Sequence, residues 1–552
     1  MSLLVDLFGY LSVLLQGLDM AAQAALLGST LFVLFQADIL GAPGSAPPAF
    51  LQRADTVLAS FAIAEAVIVL ASVALNDAVL IGSLSLPFAD TLDADFVRAG
   101  AIKFAAVLAM LVVVKLRPSH SFDNRFILGA LGLIVLAAAI ADSHASARLS
   151  GRAWVMFVTA AHEAGAALWL GGLPLFLAML GTLKGSAVSL AASRRYSAIS
   201  ISGVGLIVAS AVAIYFAYIG EPAALYGTSY GAMAVTKAAM LGILLLLGLR
   251  NFRVIRAASG PNVDLEPVRR FATVEIGIGL AVLFTAASIT SQPPAVDQVG
   301  ERATFQEIMD REWPRPPRLQ SPDQATLSIP ALQAKLDSQW KIDQAQARPQ
   351  AFIPGSGIAP PSNAEDIAWS EYNHNWAGIL VILIALAALL ERTGKARWAR
   401  NWPLLFILLS VFLFVRSDPE AWPTGNIGFF ESLRDAEVFQ HRLIALLVLG
   451  FAVFEWGVRT GRLKSSAAQI VFPLLTAVGG VVLLTHSHAI SSVKQQLLIE
   501  WTHLPMGVLG VVAGWSRWLE VKAPDTDGKW AGWVWPICFL LVGLLLVNYR
   551  EA

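Results

Sequence analysis

Charged residues are scarce in this chain of 552 residues. Lys, Arg, Asp and Glu together make up 14% of it, whereas 56% of the residues are hydrophobic. A water-soluble domain of this size needs more charge to cover its surface, so the composition predicts a protein of the lipid bilayer. The net charge is zero, which excludes a broad basic face for nucleic acid.

Cysteine and catalytic motifs are also scarce. The single cysteine, Cys538, lies in an apolar run, which excludes intramolecular disulfides and any CxxC metal motif. No Lys or Arg precedes Arg53, so the first apolar run lacks the basic region of a cleavable signal peptide and is expected to be a retained span. The chain has no phosphate-binding glycine loop, nucleophile elbow or paired catalytic carboxylates. We therefore expect no enzyme, with membrane redox chemistry as the one open exception.

Long apolar runs are abundant instead. About 20 apolar residues cross the hydrocarbon layer as a helix, and the runs predict an all-α, polytopic transmembrane helix bundle of about 14 spans. The predicted cores of these spans are 7–35, 54–76, 97–116, 126–142, 153–181, 197–220, 231–249, 271–291, 374–391, 402–416, 440–458, 468–486, 500–520 and 530–548.

Basic residues predict the orientation of these spans. They cluster in alternate connections, and such clusters accumulate on the cytoplasmic side of a membrane. The basic connections are those around 53, 115–125, 184–195, 250–270, 392–400 and 459–464. Both termini are therefore predicted to face outward.

One connection divides the chain. Residues 293–372 form a polar, proline-rich extracytoplasmic loop with two short amphipathic segments, 301–313 and 329–347. The predicted domains are an eight-span domain at 1–292, this loop at 293–372 and a six-span, His-rich domain at 373–552. The loop has the composition of a docking surface or of a plain linker.

Histidine is rare, and its distribution is uneven. Seven of the eight histidines are predicted at or near the outer ends of spans: His144, His162, His374, His441, His486, His488 and His503. Imidazole is the commonest protein ligand for transition metals and haem iron. Glu500, His503 and Met506 recur every three residues and share a helix face. The last five histidines therefore predict a metal site between spans or axial ligands of a b-type haem, with interfacial hydrogen bonding as the alternative.

The fifth span carries an ionisable pair, His162 and Glu163, with Met156 nearly two turns earlier. Such a pair is costly in a span unless it faces the protein interior, so it is a candidate metal site that His144 can join. A neutral histidine bonded across helices is the alternative. Elsewhere, Glu65 and Lys103 are expected to neutralise each other between the second and third spans, with a relay as the alternative.

Motifs in the first domain resemble a known family. They are His162-Glu-Ala-Gly-Ala-Ala-Leu-Trp-Leu-Gly-Gly172, Arg195-Tyr-Ser197, Tyr230-Gly-Ala-Met-Ala-Val-Thr-Lys237, Arg269-Arg-Phe-Ala-Thr-Val-Glu275 and Thr290-Ser-Gln-Pro-Pro294. Across residues 150–295 they are similar to the copper resistance protein D family, and the first four spans fit more loosely. The six-span domain resembles an extension of longer proteobacterial members, through Asn373-His-Asn-Trp-Ala-Gly378, Arg416-Ser-Asp-Pro-Glu-Ala-Trp422, Gln440-His-Arg442 and Leu484-Thr-His-Ser-His488.

The resemblance implies copper handling at the bacterial inner membrane, generally import, with a periplasmic copper-binding protein of the copper resistance protein C type. The chain itself has no fused copper-binding domain and no Met-rich segment, so a partner would deliver the copper ion. Three hypotheses follow: copper import through outward-facing His, Met and Glu sites, a haem-binding membrane redox protein, or a non-catalytic scaffold that docks a partner on the 293–372 loop.

Overall fold

The computed structural model describes residues 8–40, 48–84, 87–260, 263–322, 364–425, 427–485, 493–524 and 527–551. Within these ranges the regular structure is helical, and an isolated bridge joins Ala421 and Ile427. Fourteen helices of this described part are long and apolar enough to cross a membrane. The predicted all-α polytopic bundle is confirmed.

The first compact unit comprises residues 12–221 and 238–290. Its helices are α1 (Phe8–Leu40, from Ser12), α2 (Pro48–Leu84), α3 (Asp95–Leu116), α4 (Phe122–Ala141), α5 (Arg152–Ala166), α6 (Leu173–Thr182), α7 (Ala187–Tyr218), α8 (Ser229–Ala257, from Ala238) and α9 (Glu266–Thr290). Helices suit these apolar runs because they satisfy the backbone hydrogen bonds within each segment. In the core, the Tyr196 ring packs 4.7 Å from Phe176 and 5.4 Å from Phe32, measured between centroids.

The fifth span is not one regular helix. Between α5 and α6 the five residues Ala167–Gly171 form a π-helical turn. Such turns widen the helix and disturb its regular hydrogen bonding, and they are frequent at functional sites. Here the Tyr196 hydroxyl donates to the Trp169 carbonyl. A Cβ atom on Gly171 would collide with the backbone of Ala24 in α1, so the absence of a side chain lets α1 touch the π turn directly.

The second compact unit comprises the described parts of 2–11, 222–237 and 291–552. Its helices of eight residues or more in the 291–552 part are α10 (Phe305–Glu312), α11 (Ala364–Arg392), a 3₁₀ segment (Arg397–Leu404), α12 (Leu405–Arg416), α13 (Ala436–Arg459), α14 (Ser466–Leu484), α15 (Val493–Lys522) and α16 (Gly528–Val547). Aromatic rings fill its core, where Trp402 lies 5.3 Å from Trp535 and 5.8 Å from Phe406.

Helix α10 lies in the polar connection, where the sequence predicts the amphipathic segment 301–313. Thr304 and Glu307 form a capping box at its start, and the Glu307 carboxylate also pairs with Lys494 of α15 at 2.5 Å. Hydrogen bonding from Lys494 is the largest of the effects that lower the pKa of Glu307 to about 2. The other predicted segment, 329–347, lies outside the described residues.

Candidate functional site

The imidazole of His162 is oriented by a serine from another helix. His162 lies in α5, and its Nδ1 is 2.9 Å from Oγ of Ser210 in α7. The single Ser210 hydroxyl hydrogen is directed at the carbonyl of Leu206, 2.6 Å away. With this hydrogen on the Leu206 carbonyl, Ser210 Oγ accepts from Nδ1–H. In that tautomer a neutral His162 carries its lone pair on Nε2, an arrangement in which a histidine binds metal ions.

The carboxylate of Glu163 is held by α1. Gln23 Nε2 donates to Glu163 Oε2 over 2.8 Å. Both residues are at least partly buried, and the bond crosses 140 positions of sequence. His162 and Glu163 thus both face neighbouring helices of the first unit. This is expected, because an ionisable side chain that faced the lipid would cost much free energy.

Trp169 and Glu275 form a buried contact that the sequence analysis did not assign to a site. Trp169 Nε1 donates to Glu275 Oε2 over 3.3 Å, and Asn251 Nδ2 donates to Oε1 over 2.7 Å. Glu275 appears in one of the motifs quoted above, but nothing in its spacing points to a residue 106 positions away. Hydrogen bonds therefore connect the motif that contains His162 and Trp169 to three other helices: to α7 through Ser210, and to α8 and α9 through Asn251 and Glu275.

The expected pair of Glu65 and Lys103 has a third member. Lys103 Nζ lies 2.7 Å from Glu65 Oε1, as the sequence predicts, but it also lies 2.8 Å from Asp19 Oδ2. Asp19, Gln16 and Gln23 form the polar stripe of α1, and Gln16 accepts from the Thr290 hydroxyl. Every member of this stripe therefore bonds to a different helix of the first unit.

The remaining predicted residues of the first unit are Met156 and His144. Met156 is partly buried in α5, nearly two turns before His162. His144 is exposed in the turn after α4, where its carbonyl accepts from Ala147 N. In the described structure its ring makes no hydrogen bond, so a role beside His162 stays a prediction.

Two of the five C-terminal histidines meet in the second unit. The rings of His374 in α11 and His503 in α15 lie 5.8 Å apart at an interplanar angle of 82°. His374 Nδ1 donates to the Ser370 carbonyl over 2.9 Å, and His503 Nδ1 donates to the Ile499 carbonyl over 3.0 Å. Since a carbonyl can only accept, the lone pairs of both neutral rings lie on Nε2.

The end of the chain completes this cluster. Tyr549 stacks on His374 with centroids 3.8 Å apart and lies 5.5 Å from His503. Its hydroxyl donates to Glu551, which also accepts from Ser370, each over 2.5 Å. Burial raises the pKa of Tyr549 well above its ordinary value, so the phenol stays protonated and keeps donating. The sequence analysis did not assign Tyr549 or Glu551 to the site.

His441 is held by a carboxylate. Its Nδ1 lies 2.8 Å from Asp418 Oδ1, which again fixes the hydrogen on Nδ1. Asp418 precedes α13, the helix that carries His441, and it lies 4.0 Å from the guanidinium of Arg442. His441 is in electrostatic range of both His374 and His503. Three of the five predicted imidazoles therefore lie in one region of the second unit.

The other predicted residues of this region are placed as follows. Glu500 and Met506 are buried in α15, and Gln496 Nε2 donates to Glu500 Oε1 over 2.9 Å. His486 and His488 lie outside the described residues. Among the residues that are described, no group of three or more His, Cys, Asp or Glu side chains is arranged to hold a metal ion.

A b-type haem does not fit between His374 and His503 as they stand. A macrocycle held by both rings needs a wide gap between them, but Tyr549 is within 5.5 Å of each ring and occupies one side of that gap. Haem pairs that include His486 or His488 fall outside the described residues.

A family match covers the helices that orient His162. The sequence model of the family described as copper resistance protein D matches residues 190–289. The predicted resemblance is thereby confirmed over this segment. The copper resistance protein D segment contains Ser210 and Glu275, the hydrogen-bond partners of His162 and Trp169.

A curated relative points to the same metal. The copper transport protein CutJ of Bacillus subtilis (strain 168) is 29% identical over 140 residues. The match covers 24% of this chain and 24% of CutJ, so it spans about a quarter of the relative's length. No solved structure matches. Together with the fourteen candidate spans of the described residues, the two matches support a copper-related, multi-pass membrane protein.

Proposed function

We propose that this protein imports copper, receiving the ion at the periplasmic side of the bacterial inner membrane and passing it toward the cytoplasm. The first unit is the transport domain, and His162 is the residue that the ion meets within the span. Both termini face the periplasm in this proposal. No catalytic step is assigned to the chain.

The observation that carries the proposal is the hydrogen bond between His162 and Ser210. It joins the His162 signature to the copper resistance protein D segment and leaves the lone pair of a neutral His162 on Nε2. Second-shell bonds of this kind fix the ring of a metal-binding histidine, and their loss costs about 10–100-fold in metal affinity or activity. Glu163, which bonds to α1, and Met156, nearly two turns earlier on α5, stay predicted contributors of a carboxylate and a soft sulfur donor.

The second unit provides an additional receiving site. His374, His441 and His503 each direct Nδ1 at an oxygen acceptor, so the neutral form of each ring carries its lone pair on Nε2, the atom that would meet an incoming ion. His486, His488, Glu500 and Met506 stay predicted contributors. Because the chain has no Met-rich segment, a periplasmic copper-binding protein of the copper resistance protein C type delivers the ion, and the 293–372 loop is its docking surface.

Uptake of copper ions into proteoliposomes tests the proposal. Purified wild-type protein should fill vesicles with copper faster than empty vesicles fill, and His162→Ala should reduce the rate at least about tenfold. His120→Ala is the matched control, because the sequence assigns this histidine to the opposite side of the membrane, and it should transport at the wild-type rate.

Equal uptake by wild type and His162→Ala would contradict the role of His162. An absence of uptake above empty vesicles, with protein that still binds copper ions by elemental analysis, would favour the scaffold hypothesis. An absorption spectrum of the same sample is predicted to lack a haem Soret band. A Soret band would support the hypothesis of a haem-binding membrane redox protein instead.

A further inference from the structure

Three ionisable side chains meet inside the first unit. The ammonium of Lys103 in α3 lies 2.8 Å from the Asp19 carboxylate of α1 and 2.7 Å from the Glu65 carboxylate of α2. The Glu65 side chain has no exposed area, and that of Lys103 is 7% exposed. One ammonium is thus shared by two carboxylates from two other spans.

The charges in this triad do not cancel. With both carboxylates ionised, Asp19, Glu65 and Lys103 together carry one net negative charge. An uncompensated charge within a span is costly, and removal from water strongly penalises an unpaired ion. Asp142, at the end of α4, is in electrostatic range of Lys103 and Asp19, and its negative charge increases the imbalance. The triad is therefore most stable when it also holds one added positive charge.

A proton meets this requirement better than a metal ion. The two carboxylates already contact Lys103 at hydrogen-bond distance, which leaves little room for a coordinated cation between them. The triad also lacks the imidazole, thiolate and thioether donors that copper prefers. A proton needs no cavity, because it adds to a carboxylate oxygen and turns the triad into a neutral ion pair plus a carboxylic acid.

Helix α1 connects this triad to the candidate copper site. Asp19 and Gln23 lie one turn apart on α1, and Gln23 donates to Glu163, the neighbour of His162. A change of charge at Asp19 therefore acts on the same helix that holds Glu163. We propose that the Asp19–Lys103–Glu65 triad is a proton-binding site, and that it binds and releases one proton as a copper ion passes His162. The second clause rests on the proposed function, whereas proton binding itself does not.

Infrared difference spectroscopy of metal-free protein tests the proton site without any copper. Titration of the wild type in lipid vesicles should show the C=O stretching band of a buried carboxylic acid, which disappears when the pH is raised. Glu65→Gln and Asp19→Asn each leave one carboxylate opposite Lys103, and each should abolish this band. Asp55→Asn is the matched control on α2, because Asp55 accepts from the Ser119 backbone at a partly buried position, and it should retain the band.

An unchanged band in both Glu65→Gln and Asp19→Asn would overturn the proton site. If one of these variants fails to fold, the band in the other variant decides the question. Lys103→Met gives a third test, because two carboxylates without the ammonium should bind a second proton. The infrared result stands regardless of whether the vesicles transport copper.

Copper uptake in a pH gradient tests the coupling. For one proton per copper ion, a gradient of about one pH unit shifts the accumulation ratio of copper about tenfold in the wild type. Glu65→Gln should still bind copper but lose this dependence on pH gradient. An equal dependence in Glu65→Gln would overturn the coupling while leaving import in place, whereas no uptake by the wild type would overturn the proposed function and leave the proton site standing.

Discussion

At the scale of single residues, four of the candidate imidazoles in the described part of the chain place Nδ1 against an oxygen acceptor. His162 donates from Nδ1 to a serine hydroxyl, His374 and His503 donate to backbone carbonyls, and His441 donates to Asp418. Each neutral ring therefore keeps its lone pair on Nε2. A metal-binding histidine needs a second-shell partner of this kind, so the arrangement is compatible with the proposed copper sites.

Ser210→Ala should weaken copper binding although Ser210 touches no metal ion in the proposal. The variant removes the acceptor of His162 Nδ1, so the ring loses its fixed orientation, and the affinity for copper should fall by about 10–100-fold. Competition with a copper chelator measures this affinity. Ser202→Ala is the control, because Ser202 lies on the same helix α7 and donates only to the Ala198 carbonyl of that helix. Equal affinities for the two variants would refute the orienting role.

Glu455→Gln should destabilise the second unit. The Glu455 side chain has no exposed area and pairs with Arg459 at 2.6 Å and with Arg517 at 2.8 Å. After the substitution Arg459 still pairs with Glu391 and Arg517 still pairs with Glu520, so the loss should be smaller than the roughly 3–5 kcal/mol that an unpaired buried charge costs. Thermal unfolding in detergent should show a clearly lower midpoint than for the exposed control Glu431→Gln. Equal unfolding midpoints for Glu455→Gln and Glu431→Gln would contradict a stabilising role of the Glu455 charge.

Individual candidates could be read from the sequence, but their partners could not. His162, Glu65 and Lys103 stand out because an ionisable residue within an apolar run is rare. Ser210 bonds to His162 across 48 positions of sequence, and Asp19 bonds to Lys103 across 84. Glu275 likewise bonds to Trp169 across 106 positions. Such pairings depend on which helices pack together, and hydropathy does not encode that.

At the scale of elements, the fourteen spans were predictable because hydropathy over a window is a local property of the sequence. The break in the fifth span could not be predicted in this way. A π turn at Ala167–Gly171 satisfies the backbone with help from Tyr196, and the only local hint is the pair Gly171-Gly172. This turn carries Trp169, whose Nε1 donates to Glu275.

Gly171→Ala should disturb the packing of α1 on the π turn. The added Cβ would collide with the backbone of Ala24, which cannot yield as a flexible side chain does. Overpacking of this kind costs about 1–3 kcal/mol. Thermal unfolding in detergent and copper uptake should both fall relative to Gly205→Ala, because a Cβ on Gly205 meets nothing within 4 Å. Equal stability of the two variants would show that α1 can move away.

Helix α10 should respond to acid through Glu307. The pKa of this carboxyl is about 2 in the folded chain, mainly because it bonds to Lys494, against an ordinary value of 4.5. A lowered pKa stabilises the ionised, folded form, so the contribution is present above about pH 4.5 and is lost as the pH falls toward 2. Protection factors from hydrogen exchange should fall over this interval in the wild type.

Glu307→Gln provides the comparison for that titration. Glutamine keeps the capping box but has no charge to pair with Lys494. The variant should show lower protection of α10 near neutral pH and little further loss between pH 4.5 and 2. Parallel loss in variant and wild type would assign the acid response to other carboxyls.

At the scale of the whole molecule, the chain combines a copper resistance protein D segment with a His-rich second unit. The family match reaches residues 190–289, while the imidazole cluster of the second unit lies well beyond it. Basic residues concentrate in alternate connections, so the sequence alone predicts how the chain crosses the membrane and which side each connection faces. What the sequence cannot predict is that the polar stripe of α1 links the Asp19–Lys103–Glu65 triad to Glu163, because this link requires four helices to pack together.

Cellular copper content measures the central claim most directly. A deletion strain grown with copper should accumulate less of the metal than its parent. Wild-type protein should restore the parental content, and His162→Ala, present at the same level in the membrane, should not. An unchanged copper content in the deletion strain would contradict copper import by this protein.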